Sequence, residues 1–147
     1  MFASVLAALA RADVEFIVVG GLAVAQAGYA RYTEDMDLLV NATPPNLDRL
    51  IGMLSEVGEG AASELVAEDF PLEEGAVRVV EDVVIDVFTQ MSGRTYADLL
   101  PLSEPHAVEG ERVRFLTASG LIQLKKDSLR PKDQLDVQTL RSLHPDA

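Results

Sequence analysis

The sequence predicts an α/β domain of the α+β kind, with a mixed β-sheet flanked by helices. Short β-branched runs alternate with alanine- and leucine-rich segments over the first half of the chain, and this alternation is typical of strands connected by helices. Two further apolar runs near position 80 are separated by only two residues, which indicates a hairpin. A hairpin among helix-connected strands gives both parallel and antiparallel neighbours, in a sheet of roughly four to six strands.

The first half of the chain contains two predicted helices and two predicted strands. Apolar residues at helical spacing predict a first helix. A short β-branched run that ends at glycine predicts a buried strand, and the alanine-rich segment after it predicts a helix packed closely on the sheet. A second apolar run, opened by acidic residues, predicts the next strand. These elements are Ser4–Ala12, Glu15–Val19, Leu22–Ala30 and Asp35–Val40.

The next element is a helix that Thr43 or Asn46 can cap and that is expected to reach about Val57. The last helix is expected to open at Pro131, because proline is tolerated at a first helical position. Between them we expect a short strand at Leu65–Ala67, hairpin strands at Val77–Val80 and Val83–Thr89, a short helix at Arg94–Leu100, a strand at Arg112–Leu116, and a helix from Thr117 or Ser119 to Leu129.

Length and composition bound the class of protein. The 147 residues, 48% of them apolar, fit one domain, which we expect over residues 1–147, with its core in 16–89 and a helical part in 117–143. The lack of cysteine excludes disulfides and cysteine-ligated zinc. The apolar N-terminus lacks a basic start and is interrupted by Arg11 and Asp13, which predicts an amphipathic helix, not a signal peptide. No run approaches the roughly 18 apolar residues of a membrane span, so we expect a cytoplasmic protein.

Charge is unevenly distributed along the chain. The formal net charge of −12 argues against general nucleic-acid binding. The stretch Glu56–Asp86 holds ten acids and Arg78 as its one base. Half of the bases fall between positions 112 and 132, where they suit a phosphate ligand or are simply solvated. These bases are Arg112, Arg114, Lys125, Lys126, Arg130 and Lys132.

Three aspartates interrupt apolar strands. Asp35 and Asp37 occupy alternate positions of one predicted strand, so their side chains point to the same side of the sheet, roughly 6.6 Å apart along the chain. Asp86 lies inside the apolar run VVIDVF and is costly to bury without a partner. A divalent metal shared by the three carboxylates would supply one, because Mg²⁺ prefers carboxylate and phosphate oxygens. A salt bridge to an arginine or a water-exposed strand edge would serve Asp86 equally.

A glycine pair, Gly20-Gly21, separates the first strand from the helix after it. Glycines there allow backbone amides to approach phosphates, although such a pair is more often a plain tight turn. The segment GGLAVAQAG does not spell G-x-G-x-x-G, which disfavours a dinucleotide-binding oxidoreductase. Asp35 and Asp37 also begin their strand instead of ending it. They can meet the glycine turn only if this strand runs antiparallel to the first.

Together these motifs resemble the polymerase-β-type nucleotidyltransferase superfamily. The resemblance rests on Gly20-Gly21, the pair Asp35 and Asp37, and the distant Asp86, with Arg31 and Thr33 before the pair. The tail LIQLKKDSLRPKDQLDVQTL, Leu121–Leu140, resembles the C-terminal signature of small prokaryotic nucleotidyltransferase-like proteins related to the AbiEii toxins. The matching positions in that signature are Lys125, Arg130, Lys132, Asp133 and Asp136.

The resemblance implies a nucleotidyltransferase-like fold, one or two Mg²⁺ ions and a nucleoside triphosphate donor. Asp35 and Asp37 would ligate metal, and Asp86 would be a third ligand or the base that activates an acceptor hydroxyl. Gly20 and Gly21 would hold the phosphates. Lys125, Arg130 and Lys132 would face phosphate groups, and Arg31 and Thr33 would lie at the mouth of the site.

The acceptor is open: tRNA, a protein hydroxyl or a small molecule would each serve. A cognate toxin or antitoxin protein is a further expected partner, and a membrane is not. The alternative from a different class is a catalytically inactive member of the fold that binds a nucleotide or a partner protein. Tyr29 and Tyr32 can stack on a base or fill the edge of the core. His106 and His144 are expected in surface loops.

Overall fold

The computed structural model describes residues 2–30, 32–56, 60, 62–80 and 83–147. Within these residues the chain forms six α-helices and six strands, with short 3₁₀ turns at Ala67–Asp69 and Leu100–Leu102. In chain order the elements are α1 (Phe2–Arg11), β1 (Phe16–Val19), α2 (Gly20–Gln26), β2 (Asp35–Val40), α3 (Pro44–Leu54), β3 (Ala76–Val80), β4 (Val84–Phe88), α4 (Tyr96–Leu99), β5 (Ser103–Val108), β6 (Glu111–Leu116), α5 (Ala118–Lys125) and α6 (Pro131–Leu143).

The strands form one mixed sheet in the order β3-β4-β2-β1-β6-β5. The neighbours β1 and β2 are antiparallel, whereas β2 pairs with β4, and β1 with β6, in parallel. The hairpins β3–β4 and β5–β6 form the two edges. The predicted α+β class with a mixed, helix-flanked sheet is therefore confirmed.

The core lies at the centre of this sheet. The four residues of β1 are all buried, as are Leu38, Leu39 and Val40 of β2. Leu6 and Leu9 of α1, and Leu50 and Leu54 of α3, belong to the same apolar cluster. Burial of the central strands on both faces explains why they read as continuous apolar runs in the sequence.

Several element predictions match the structure closely. The strand Asp35–Val40 has the predicted bounds. The hairpin near position 80 is present, although its connecting residues 81 and 82 lie outside the described residues. Thr117 caps α5 by accepting a hydrogen bond from the Gly120 amide, although this helix ends at Lys125 and not at Leu129. Pro131 opens α6 as expected.

Other element predictions are wrong. Leu65–Ala67 forms no strand, and a 3₁₀ turn begins at Ala67. The helix after β1 starts at Gly20 and ends at Gln26, where Leu22–Ala30 was expected. The helix α3 ends at Leu54, and Val57 lies outside the described residues.

The strand β5 was not predicted, and the expectation for His106 changes with it. His106 lies on β5 and packs edge-on against Phe115, with 5.6 Å between ring centroids. His144 caps the end of α6, and its Nε2 lies 2.5 Å from the Ala27 carbonyl oxygen. His106 is therefore on a strand and not in a loop, whereas His144 is half-buried and lies just after the end of α6. Across the described part of the chain, every helix is too short or too polar to cross a membrane.

Candidate functional site

The antiparallel pairing of β1 and β2 brings the paired aspartates to the glycine turn. Val19, the last residue of β1, lies opposite Asp37. The chain then turns at Gly20, so this glycine lies beside the Asp37 side chain. Had β2 run parallel to β1, Asp35 and Asp37 would lie at the opposite end of the sheet. The strand direction that the sequence argument required is thus the direction observed.

Both glycines are needed because side chains approach them closely. Gly20 has φ +67°, and a Cβ placed on it would lie 2.2 Å from the Asp37 Oδ2. A Cβ on Gly21 would lie 2.8 Å from the Thr33 Oγ1, and this hydroxyl donates to the Asp35 carbonyl oxygen at 3.0 Å. The glycine pair therefore makes room for the loop and strand that carry the acids.

The parallel pairing of β2 and β4 brings in the third aspartate. Asp86 is the register partner of Asp37, and partners in adjacent strands point to the same face of a sheet. Asp35, two residues before Asp37, shares that face. Three carboxylates from two neighbouring strands therefore converge. We call Asp35, Asp37 and Asp86 the acidic cluster.

Arg78 neutralises part of the acidic cluster. It lies opposite Asp86 across the β3–β4 hairpin, with its Nε 2.8 Å from the Asp86 Oδ1 and its Nη2 2.9 Å from the Asp86 Oδ2. The same Nη2 lies 3.1 Å from the Asp35 Oδ2. The salt bridge weighed for Asp86 is thus present. Arg78 was not a predicted site residue, although its place as the one base in the acidic stretch Glu56–Asp86 was the signal that could have identified it.

Among the described residues, Asp37 is the member of the acidic cluster that has no ion-paired partner. Within the described residues, no hydrogen bond or ion pair joins its carboxylate to another side chain. Burial raises the pKa of Asp37 from 3.8 to about 6, with further contributions from the negative charges of Asp86 and Asp35, while Lys125 and Arg78 oppose the shift. The negative charges and the burial therefore outweigh the two nearby positive charges at this carboxylate.

A cavity of about 580 Å³ opens beside Asp37. Of the ten predicted site residues, eight line this one cavity. Asp86 is not among them, since it is only 7% exposed and lies under Arg78. Arg31 falls outside the described residues. The eight are Gly20, Gly21, Thr33, Asp35, Asp37, Lys125, Arg130 and Lys132.

The predicted phosphate-facing bases differ in their surroundings. The Lys125 Nζ lies 2.9 Å from the Asp136 Oδ2 and 3.2 Å from the Asp133 Oδ1, and the lysine side chain is only 15% exposed. Burial alone would raise the pKa of Asp133, but hydrogen bonds from Ser128 and Lys125 outweigh it and leave that pKa below its usual value. Lys125 thus joins α5 to α6 through two carboxylates. Arg130 and Lys132 are exposed at the cavity rim.

The two tyrosines near the site have separate environments. Tyr29 packs against the core. Tyr32 is 83% exposed and lines the cavity. Tyr29 therefore fills the edge of the core, and the ring of Tyr32 is accessible for stacking on a base.

The donor atoms at the cavity suit a hard divalent cation. Asp35 and Asp37 present carboxylate oxygens, the ligands that Mg²⁺ prefers, and within the described residues the Asp37 carboxylate has no ion pair that a metal would have to displace. In the described residues, however, no three acidic, histidine or cysteine side chains already form a group that could hold a metal ion. The guanidinium of Arg78 instead bridges Asp35 and Asp86.

Comparison with known proteins found a similar solved structure but no match by sequence. No protein-family model matches the sequence, and no curated protein is similar to it. The structure is similar to the crystal structure of an antigenic nucleotidyltransferase-like protein from Paracoccidioides brasiliensis, with a TM-score of 0.60 and 16% sequence identity. The similarity covers 99% of this chain and 76% of that one.

The fold is nucleotidyltransferase-like. This agrees with the superfamily that the motifs resemble, and at 16% identity it concerns the fold alone. The relation to AbiEii-type toxins stays a prediction, as do the metal and the activity.

Proposed function

We propose that this protein is a metal-dependent nucleotidyltransferase that transfers a nucleoside monophosphate from a nucleoside triphosphate to an acceptor hydroxyl. The observation that carries the proposal is the placement of Asp35 and Asp37 on the wall of a cavity, beside a close glycine turn, in a nucleotidyltransferase-like fold. Asp86 supports it, because it lies on the same face in register with Asp37.

In this proposal each acid has a role. Asp35 and Asp37 would hold one or two Mg²⁺ ions, which when bound neutralise phosphate oxygens and orient the triphosphate. The acceptor oxygen forms a bond to the α-phosphorus while the bond to pyrophosphate breaks in line. The hydroxyl proton passes to a carboxylate oxygen of the acidic cluster, for which Asp86, once Arg78 has released it, is the candidate when it is not a third metal ligand.

The rest of the cavity wall suits the other parts of a nucleotide. Arg130 and Lys132 offer positive charge at the rim for phosphate groups. Lys125 also lines the cavity, but its positive charge is partly neutralised by its ion pairs with Asp133 and Asp136. The exposed ring of Tyr32 offers a face on which a nucleobase can stack.

A second candidate function is a catalytically inactive module that binds a nucleotide or a partner protein. The observation in its favour is Arg78, which already neutralises two of the three carboxylates. As half of a toxin–antitoxin pair, such a module would act through a cognate protein. It predicts nucleotide or partner binding without transfer of label.

Incubation with each α-labelled nucleoside triphosphate and Mg²⁺, together with total cellular RNA, protein or small-molecule extract, tests the enzyme proposal. We expect label to appear in one acceptor class with the wild type and to be lost with the double variant Asp35→Asn/Asp37→Asn. Asp48→Asn, which changes an exposed aspartate on α3, is the matched control and should retain transfer. Unchanged labelling by the double variant would refute the proposed mechanism.

A further inference from the structure

Arg78 places its guanidinium where a cation would otherwise meet the acidic cluster. Both oxygens of Asp86 accept from this one guanidinium, at 2.8 and 2.9 Å, and Asp35 accepts from the same Nη2 at 3.1 Å. A planar guanidinium that engages both oxygens of a carboxylate forms one of the stronger ion pairs available to a protein. Asp86 is therefore occupied in the structure, and Asp35 is partly so.

This arrangement divides the cluster into an open part and a covered part. Asp35 and Asp37 line the cavity, and Asp86 does not. A divalent cation entering from the cavity meets two carboxylates, while the third faces a positive charge that repels the incoming ion. Three-carboxylate coordination thus requires that Arg78 first give up Asp86.

The position of Arg78 allows this exchange. It lies on β3, the edge strand of the sheet, and its side chain is 56% exposed. Its flexible stem can swing the guanidinium into water while the backbone pairing with β4 persists. An exposed counter-ion on an edge strand can therefore leave without unfolding the site.

We propose that Arg78 is an exchangeable counter-ion that neutralises Asp35 and Asp86 in the metal-free protein and competes with a divalent cation for the acidic cluster. The inference rests on the proposed function for the identity of the cation site. Removal of Arg78 should increase divalent-cation affinity, because competition and repulsion disappear together. Loss of a purely structural ion pair would leave affinity unchanged or lower it.

Titration with Mn²⁺ alone, followed by electron paramagnetic resonance of the free ion, tests this competition on the full chain. We expect Arg78→Gln to bind Mn²⁺ about tenfold more tightly than the wild type. Arg112→Gln removes the same charge from an exposed position on β6 and should change affinity by less than about twofold. Circular dichroism confirms that each variant is folded.

Arg78→Lys provides a second variant in case the glutamine protein does not fold. Lysine retains the charge but cannot form the two-pronged contact, so its Mn²⁺ affinity should fall between those of the wild type and Arg78→Gln. Equal Mn²⁺ affinity in the wild type and the Arg78 variants would overturn the inference and leave the proposed function standing. Absence of Mn²⁺ binding in all of them, with or without a non-hydrolysable triphosphate, would overturn both.

Discussion

Asp37 is the single residue whose environment most affects the chemistry of the site. Its pKa is raised from 3.8 to about 6, by burial first and then by Asp86 and Asp35. At pH values between these two pKa values, the Asp37 carboxyl is protonated in the native state and ionised in the unfolded state. This group therefore contributes stability below about pH 4, and that contribution is lost as pH rises through 6.

Replacement of Asp37 by asparagine should remove this dependence. We expect Asp37→Asn to gain stability relative to the wild type as the pH rises. The free energy of unfolding of the variant minus that of the wild type should be roughly 1–2 kcal/mol larger at about pH 7.5 than at about pH 4, after allowance for solvent screening. Urea denaturation in EDTA at both pH values measures the difference. Asp48→Asn is the control, and the same pH dependence in both variants would contradict the account of Asp37.

The close approach of Gly20 to Asp37 predicts that any side chain at position 20 destabilises the protein. Alanine at position 20 would meet both an unfavourable φ of +67° and the Asp37 carboxylate. We expect Gly20→Ala to lower the free energy of unfolding by roughly 2–4 kcal/mol. Chemical denaturation measures this value.

Gly110 separates the two causes. Its φ is +82°, but an added Cβ would meet nothing within 4 Å. Gly110→Ala should therefore cost only about 1–2 kcal/mol, the penalty of the backbone conformation alone. Equal losses at the two glycines would show that the contact with Asp37 adds nothing.

Among the elements, α5 and α6 are joined by the charges of Lys125, Asp133 and Asp136. The Asp136 side chain is 1% exposed, so removal of Lys125 would leave buried negative charge without its lysine partner. We expect Lys125→Met to lower the free energy of unfolding by about 3–5 kcal/mol. Thermal or urea unfolding measures the loss.

Arg130 offers a contrast on the same pair of helices. Its side chain is 73% exposed and lies 3.7 Å from the Asp133 Oδ2, and exposed ion pairs contribute little. Arg130→Gln should change stability by no more than about 0.5 kcal/mol. A loss from Lys125→Met as small as this would mean that the Lys125 contacts do not hold the two helices together.

The sequence predicted elements well where one physical signal dominated. The strand β2 has acids at its start and a continuous apolar end, and α6 has a proline at its first position. The strand β5 was missed because SEPHAV carries proline, histidine and glutamate and shows little apolar character, as an edge strand can. Leu65–Ala67 was wrongly assigned because three apolar residues alone do not distinguish a strand from a loop packed on the core.

At the scale of the whole molecule, the order and direction of the strands bring the site residues together. Contacts that depend on strand register or helix packing could not be predicted from the sequence. The types and spacing of Asp35, Asp37 and Asp86 indicated convergence, and the antiparallel β1–β2 pairing with the parallel β2–β4 pairing brings them together. The role of Arg78 was not predicted because it depends on cross-strand register, and the Lys125 contacts depend on helix packing. Neither is visible in a linear motif.

The net negative charge of the whole chain opposes binding of the proposed triphosphate substrate. A net charge of −12 repels a triphosphate, so the bases at the cavity rim and a divalent cation must compensate locally. Binding of a nucleotide should for this reason depend on metal far more than on the overall charge of the protein.

Isothermal titration of ATP, GTP, CTP and UTP into the wild type and the Asp35→Asn/Asp37→Asn variant, with Mg²⁺ and with EDTA, tests the central claim most directly. We predict that at least one triphosphate binds the wild type in Mg²⁺, and that EDTA or the double substitution weakens this binding at least about tenfold. Binding of equal strength in EDTA and in the double variant, or no binding of any triphosphate, would contradict the claim that these two carboxylates hold a metal-bound nucleotide.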